Sequence, residues 1–184
     1  MDDYLAFLGR ISPEKGVDRA IEIAEKSGRK LKIAAKVDPT EQEYFSKEIE
    51  PMLNRPFIEF VGEIGEEDKG QFLGNASALL FPIDWPEPFG LVMIEALACG
   101  TPVIAFENGS VPEIIESGQS GYVVRDVNEA ASAVGRISAL RRWKCREAFE
   151  QRFSARRMAS DYLDIYRRLV SSTWSRCKSL QPLR

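Results

Sequence analysis

The chain has 184 residues, 44% apolar and 29% charged, with a formal net charge of −3, which describes one globular domain with at most a small appendage and excludes a disordered chain. Its longest nearly uncharged apolar runs, 76–83 and 89–94, fall far short of the ~20 residues a bilayer helix needs, and Met1-Asp2-Asp3 lacks the basic start of a secretory signal, so the expected location is cytoplasmic. Histidine is absent, which excludes a Ser-His-Asp triad, a histidine-type zinc hydrolase and an imidazole general base from this chain.

Taken in chain order, segments 4–8, 31–35, 57–61, 78–81, 102–105 and 122–124 have the length and apolar content of strands buried in a parallel sheet. Between them, 17–24, 41–53, 68–73 and 91–98 show helical spacing or composition, with Gly28, Gly74 and Gly100 as stops near their ends. Strand and helix alternating in this way predict a Rossmann-like α/β fold: a doubly wound, six-stranded parallel sheet with helices on both faces and ligands beyond the carboxyl ends of the strands. After Asp126 the strands give way to helices at roughly 127–140, 143–152 and 155–170. The last carries Met158, Tyr162, Leu163, Tyr166, Leu169 and Val170 on one stripe, a docking face for either its own sheet or a partner. Residues 1–170 read as one domain and 171–184 as a polar, frayed tail.

Cys99, Cys145 and Cys177 match no metal spacing and read as reduced thiols. The charge is uneven: residues 1–135 hold 12 Lys/Arg against 24 Asp/Glu, or −12, and residues 136–184 hold 13 against 4, or +9. A basic end of this kind suits an anionic surface, or solvated helices whose arginines face an acidic body. An acidic chain overall argues against nucleic acid as a partner.

Two loops carry chemistry. After the first strand, Gly9-Arg10-Ile11-Ser12-Pro13-Glu14-Lys15-Gly16 sets two cations ahead of a helix N-terminus, an arrangement suited to a diphosphate and equally to an ordinary surface turn. Neither G-x-G-x-x-G nor G-x-x-x-x-G-K-[ST] occurs, which speaks against a dinucleotide dehydrogenase and a P-loop nucleotidase. After the fourth strand, a Pro-rich loop delivers Glu87, Gly90 opens a helix where bare backbone can approach a ligand, and Glu95 interrupts an apolar helix. Glu95 either accepts hydrogen bonds from vicinal hydroxyls such as those of a ribose, or points to solvent or a nearby arginine.

In this order and spacing, Gly9-Arg10 with Glu14-Lys15-Gly16, Phe60-Val61-Gly62, Glu87-x7-Glu95, Gly109-x-x-Pro112-Glu113 and Ser117-Gly118-x-x-Gly121 resemble the C-terminal domain of the group 1 glycosyltransferases, glycosyltransferase family 4. The resemblance implies one half of a GT-B fold that binds a nucleotide-diphosphate sugar of UDP or GDP type and transfers the sugar with retention, without metal or further cofactor. By position it implies that Arg10 and Lys15 neutralise the diphosphate, that Glu87 meets hydroxyls of the sugar, and that Glu95 holds the ribose. It also implies that Gly9 and Gly62 lie in the donor pocket and that the Phe89, Gly90 and Leu91 amides contact sugar and phosphate. Glu87, Arg10 and Lys15 are then the catalytic set, acting chiefly through leaving-group stabilisation.

The sequence departs from the family pattern at Ala35-Lys36-Val37-Asp38-Pro39, at Pro82-Ile83-Asp84-Trp85-Pro86 and at Ser110, where a second glycine is usual. At ~150–200 residues per domain, 184 residues correspond to one half of such an enzyme. The expected partner is an N-terminal Rossmann-like domain, without which the chain is expected to be inactive. Two other readings are a non-catalytic nucleotide-sugar binding or regulatory module, and peripheral membrane contact through the basic helices.

Overall fold

The computed structural model describes residues 3–178, with side chains through residue 171. Six strands, β1 (Tyr4–Arg10), β2 (Lys30–Lys36), β3 (Ile58–Gly62), β4 (Ala78–Phe81), β5 (Val103–Phe106) and β6 (Gly121–Val124), form one parallel sheet in the order β3-β2-β1-β4-β5-β6. Side chains alternate across a strand, and the sheet builds a separate core on each face. Leu5 and Phe7 of β1, with Ile33 and Ile104, pack under α1 (Val17–Ser27) and α6 (Val127–Val134). Tyr4 and Ala6, with Leu79, Phe81 and Val103, pack under α3 (Glu66–Asn75), α4 (Leu91–Ala98), α5 (Val111–Ile114) and α7 (Arg142–Arg152). The doubly wound, two-faced sheet expected from the sequence is the observed one.

Some elements differ from expectation. β3 is an edge strand whose Phe60 and Val61 are exposed, since it has a strand neighbour on one side only and the short turns over 42–52 cover it in part, the Phe45 ring lying 5.9 Å from Phe60. The segment expected as one helix over 41–53 is broken into 3₁₀ turns at Pro39–Glu41 and Glu50–Met52, one turn of α2 (Gln42–Tyr44) and a π turn at Phe45–Ile49. Pro51 near its end has no N–H to give and crowds the carbonyl four residues back, which opens the regular ladder. Gly74 lies inside α3, which stops at Asn75, whereas Gly28 caps α1 in the left-handed region as expected. The helix expected over 127–140 ends at Val134 before Gly135, and Ile137–Ala139 is a separate turn. Its start is fixed by Asp126, whose carboxylate accepts the N–H groups of Asn128 and Glu129.

The final helix, α8 (Ala155–Lys178), runs eight residues beyond the expected end at 170; residues 179–184 of the expected tail lie outside the described residues. α8 packs on α7, and Met158, Tyr162, Leu163, Tyr166, Leu169 and Val170 are all exposed, so its apolar stripe does not cover the chain's own sheet. The α7 arginines do turn to the body, but to its carbonyls more than its carboxylates. Arg142 donates to the carbonyls of Gly74, Ala76 and Cys99 and to Thr101 Oγ1, closing the carboxyl ends of α3 and α4. Arg152 pairs with Glu116 and donates to the Ile114 carbonyl. Cys99 and Cys145 are free thiols, and burial pushes Cys145 up to about 11. No helix among the described residues is long and apolar enough to cross a membrane.

Candidate functional site

Strand order reverses between β1 and β4, so the loops leaving these neighbours diverge and open a crevice at their carboxyl ends. Backbone ties hold the two loops together. The Asp84 N–H donates to the Glu14 carbonyl at 2.8 Å, and the Arg19 guanidinium donates to the carbonyls of Pro82 at 2.8 Å and Pro13 at 3.0 Å. With the loops fixed in this way, Lys15, at the end of the Pro13–Lys15 turn, reaches Glu87: Lys15 Nζ lies 2.5 Å from Glu87 Oε2. The Trp85 indole N–H donates to the same oxygen at 2.9 Å. Both ends of the ion pair are well covered, with 18% and 12% of their side chains exposed. Burial pushes the Glu87 carboxyl up, and the Lys15 ammonium, the Trp85 indole and the Gly90 amide outweigh it, leaving the group below the ordinary glutamate range.

A third loop supports Glu87 from behind. The Ser110 N–H donates to the Glu87 carbonyl at 2.9 Å, Ser110 Oγ to the Phe89 carbonyl at 2.9 Å, and Asn108 Nδ2 to the Ile83 carbonyl at 2.8 Å. Gly109, at φ 55°, lies so close that a Cβ there would overlap the backbone N and O of Glu87. Ser110, a departure from the family pattern, thus adds a side-chain tie where glycine has none.

Gly90, at φ 73°, turns the chain into α4, whose first turn has no side-chain cap and no acidic residue. Its free N–H groups leave a partial positive charge facing the crevice. Two adjoining cavities share Leu8, Gly9, Arg10, Leu91 and Val92 as a common wall. The smaller, about 230 Å³, also holds Lys15, Glu87 and Gly90. The larger, about 390 Å³, extends over the ends of β2 and β3 to Lys36, Glu63 and Ile64, and along α3 and α4 to Glu66, Lys69 and Glu95. Leu91 and Glu95 are one helical turn apart and present one face to it. Glu95 is neither free in solvent nor paired with arginine: Lys69 Nζ lies 3.3 Å from its Oε1 and 2.6 Å from Glu66 Oε1. The Glu66 hydrogen bond, with Glu95 behind it, raises the Lys69 ammonium against burial.

Of the residues singled out from sequence, the fold brings Gly9, Arg10, Lys15, Glu87, Gly90, Leu91 and Glu95 to these two cavities. Arg10 is 60% exposed and leans toward Asp38, 3.6 Å away. Gly62 and Phe89 line neither cavity. Gly62 ends β3 at φ 82° just before Glu63 and Ile64, which do, and the Phe89 ring stands edge-on to Phe153 at 6.3 Å. Nothing in the sequence singles out Lys69, Glu63 or Ile64, and Trp85 stands out there only as part of a departure from the family pattern, with no role attached. Lys69 and Glu95 are 26 residues apart on different helices and nothing local links them.

A family model for glycosyl transferases group 1 matches residues 1–156. A glycogen synthase of Mycobacterium tuberculosis is 33% identical over 137 residues, covering 71% of this chain and 32% of its own length. Among solved structures, AviGT4, a glycosyltransferase involved in avilamycin A biosynthesis, superposes with a TM-score of 0.76 at 30% identity over 92% of this chain and 52% of its own. The Anabaena protein HepE, solved with UDP, has the same fold at a TM-score of 0.79 and 23% identity, over 91% of this chain and 48% of its own. The chain spans 26% to 46% of the length of curated relatives it matches. By sequence and by fold it belongs to the glycosyl transferases group 1 and has the C-terminal half of their GT-B architecture.

Proposed function

We propose that the chain binds the nucleotide-diphosphate sugar of a retaining, metal-independent glycosyltransferase. The observation that carries this reading is the pair of adjoining cavities at the β1/β4 reversal, with Lys15 and Glu87 in one, Lys69 and Glu95 in the other, and the uncapped α4 N-terminus between them. A diphosphate lies along the shared wall, where Lys15, Arg10 and the Leu91 amide at the uncapped start of α4 meet its charge. The ribose and base then occupy the larger cavity, with Glu95 accepting from the ribose hydroxyls, and the sugar sits by Glu87. As the glycosidic bond breaks, charge grows on the departing phosphate within reach of these donors, which stabilise it there.

That the Anabaena neighbour was solved with UDP and with UDP-glucose supports this class of donor. The relatives' greater length supports a second Rossmann-like domain as the partner that supplies the acceptor side. Calorimetry with UDP, GDP and ADP tests the reading: one of them binds the chain, and a failure of all three at millimolar concentration ends it. A transfer assay, with the chain alone and joined to a cognate N-terminal domain, tests completeness, and activity is expected only from the joined pair.

A further inference from the structure

We propose that Trp85 is a positioning residue for Glu87 and, through it, sets which sugar the pocket accepts; this rests on the donor-binding reading above. Glu87 Oε2 takes two side-chain donors of unlike kind, the Lys15 ammonium at 2.5 Å and the Trp85 indole N–H at 2.9 Å, Oε1 takes neither, and the Gly90 amide donates to the same carboxylate from the backbone. Lys15 Nζ also lies 5.3 Å from the centre of the Trp85 ring, so ammonium, carboxylate and indole form one cluster at the sugar end of the crevice.

The two donors respond differently to a ligand. Lys15 is a mobile charge that a diphosphate competes for directly. The indole is neutral, so an anion has no comparable hold on it. Its backbone is also pinned: Pro86 restricts Trp85 to extended geometry, the Glu87 N–H donates to the Trp85 carbonyl at 2.8 Å, and the preceding residue is tied to the Glu14 carbonyl. When Lys15 turns toward phosphate, the indole stays on Oε2 and, together with the Gly90 amide, holds the plane of the carboxylate. Oε1 then keeps a fixed direction toward the sugar hydroxyls. The sugars selected are those with a hydroxyl donor at that point, and the partly exposed indole ring bounds the space beside it.

The test compares affinities for UDP and UDP-glucose, with the GDP-mannose and ADP-glucose pairs run in parallel, in the parent chain, Trp85→Phe, Glu87→Gln and the double variant. The readout is the ratio of nucleotide-sugar to nucleotide affinity. Trp85→Phe keeps a ring beside Lys15 and removes only the N–H. It is expected to leave nucleotide affinity within about twofold while lowering the ratio about tenfold, the scale of one hydrogen bond to a charged group. In the Glu87→Gln background the same change is expected to alter the ratio little, because the indole acts through the carboxylate. A ratio unchanged by Trp85→Phe, an equal drop in the Gln background, or a joint loss of nucleotide and sugar binding in Trp85→Phe overturns the proposal. A parent chain that binds no nucleotide overturns the donor-binding reading itself, and with it the sugar claim.

Discussion

Lys15 and Glu87 are 72 residues apart in the chain and 2.5 Å apart in the fold, joined where the loops after β1 and β4 are tied to each other. Without ligand each is the other's counter-ion, so the cation expected to meet a diphosphate is already engaged. In the proposed complex a ligand phosphate is expected to compete with the Glu87 carboxylate for Lys15.

The competition gives opposite outcomes for the two residues. Lys15→Ala is expected to weaken nucleoside diphosphate binding about tenfold or more, by loss of a partly buried charge contact. Glu87→Gln releases Lys15 and is expected to tighten the nucleotide a few-fold while reducing the gain from the attached sugar. Calorimetry on the two single variants reads both signs.

Acid stability follows from the same pair. Glu87 has its folded-state pKa below the ordinary value of 4.5, so its ionised form stabilises the fold fully above that value. This contribution falls away as pH drops through the lower folded value. Chemical denaturation between pH 6 and pH 3 is expected to show a shallower acid loss in Glu87→Gln than in the parent, and an identical slope would show that the pair carries no net stability.

At the other end of the crevice, Lys69 holds Glu95 toward the larger cavity. Glu95→Ala is expected to lower the affinity for the nucleotide and to abolish the preference for UDP over 2′-deoxy-UDP. Lys69→Met is expected to weaken that preference partially, by about threefold to tenfold, since Glu95 loses its guide and not its acceptors. Competition binding with the two nucleotides measures each.

Gly109 tests the support behind Glu87. An added methyl meets backbone, not a side chain that could swing away, and the residue has a left-handed φ of 55°. Gly109→Ala is expected to destabilise the fold by about 2 kcal/mol or more and to displace the Glu87 loop. A thermal melt checks the first effect and the nucleotide-sugar to nucleotide ratio the second.

Arg142 is the contrasting case, a cation with a structural task far from the crevice. Replacing it with Met leaves the carbonyls of Gly74 and Ala76 and the Thr101 hydroxyl without their donor. The expected loss is about 2–4 kcal/mol, with nucleotide affinity unchanged in the fraction that remains folded.

Much of this was legible from local pattern. The six strands are legible because each is a short apolar run, the first four followed by a stretch of helical period, and Gly90 because only a bare backbone turns so sharply into an apolar helix. The break within 41–53 is not legible there, because the residues flanking Pro51 favour helix and the outcome depends on how the ladder rearranges around the ring. The apolar stripe of α8 is legible in the sequence, but a periodicity says nothing about what faces it, and in this chain the stripe faces outward.

By itself the sequence determined the sheet class, the order of motifs and which loops hold charged residues, because these follow from hydrophobic period and from residue type along the chain. Only the tertiary structure decided the pairings: Lys15 with Glu87 and Trp85, Lys69 with Glu95, and Ser110 with the Phe89 carbonyl. Each joins segments carried to one rim of the sheet by separate strands or helices, or sets a side chain's direction within a loop. Local sequence encodes a residue's own conformation, whereas the partner it meets is fixed by strand order and by how the loops leave the sheet.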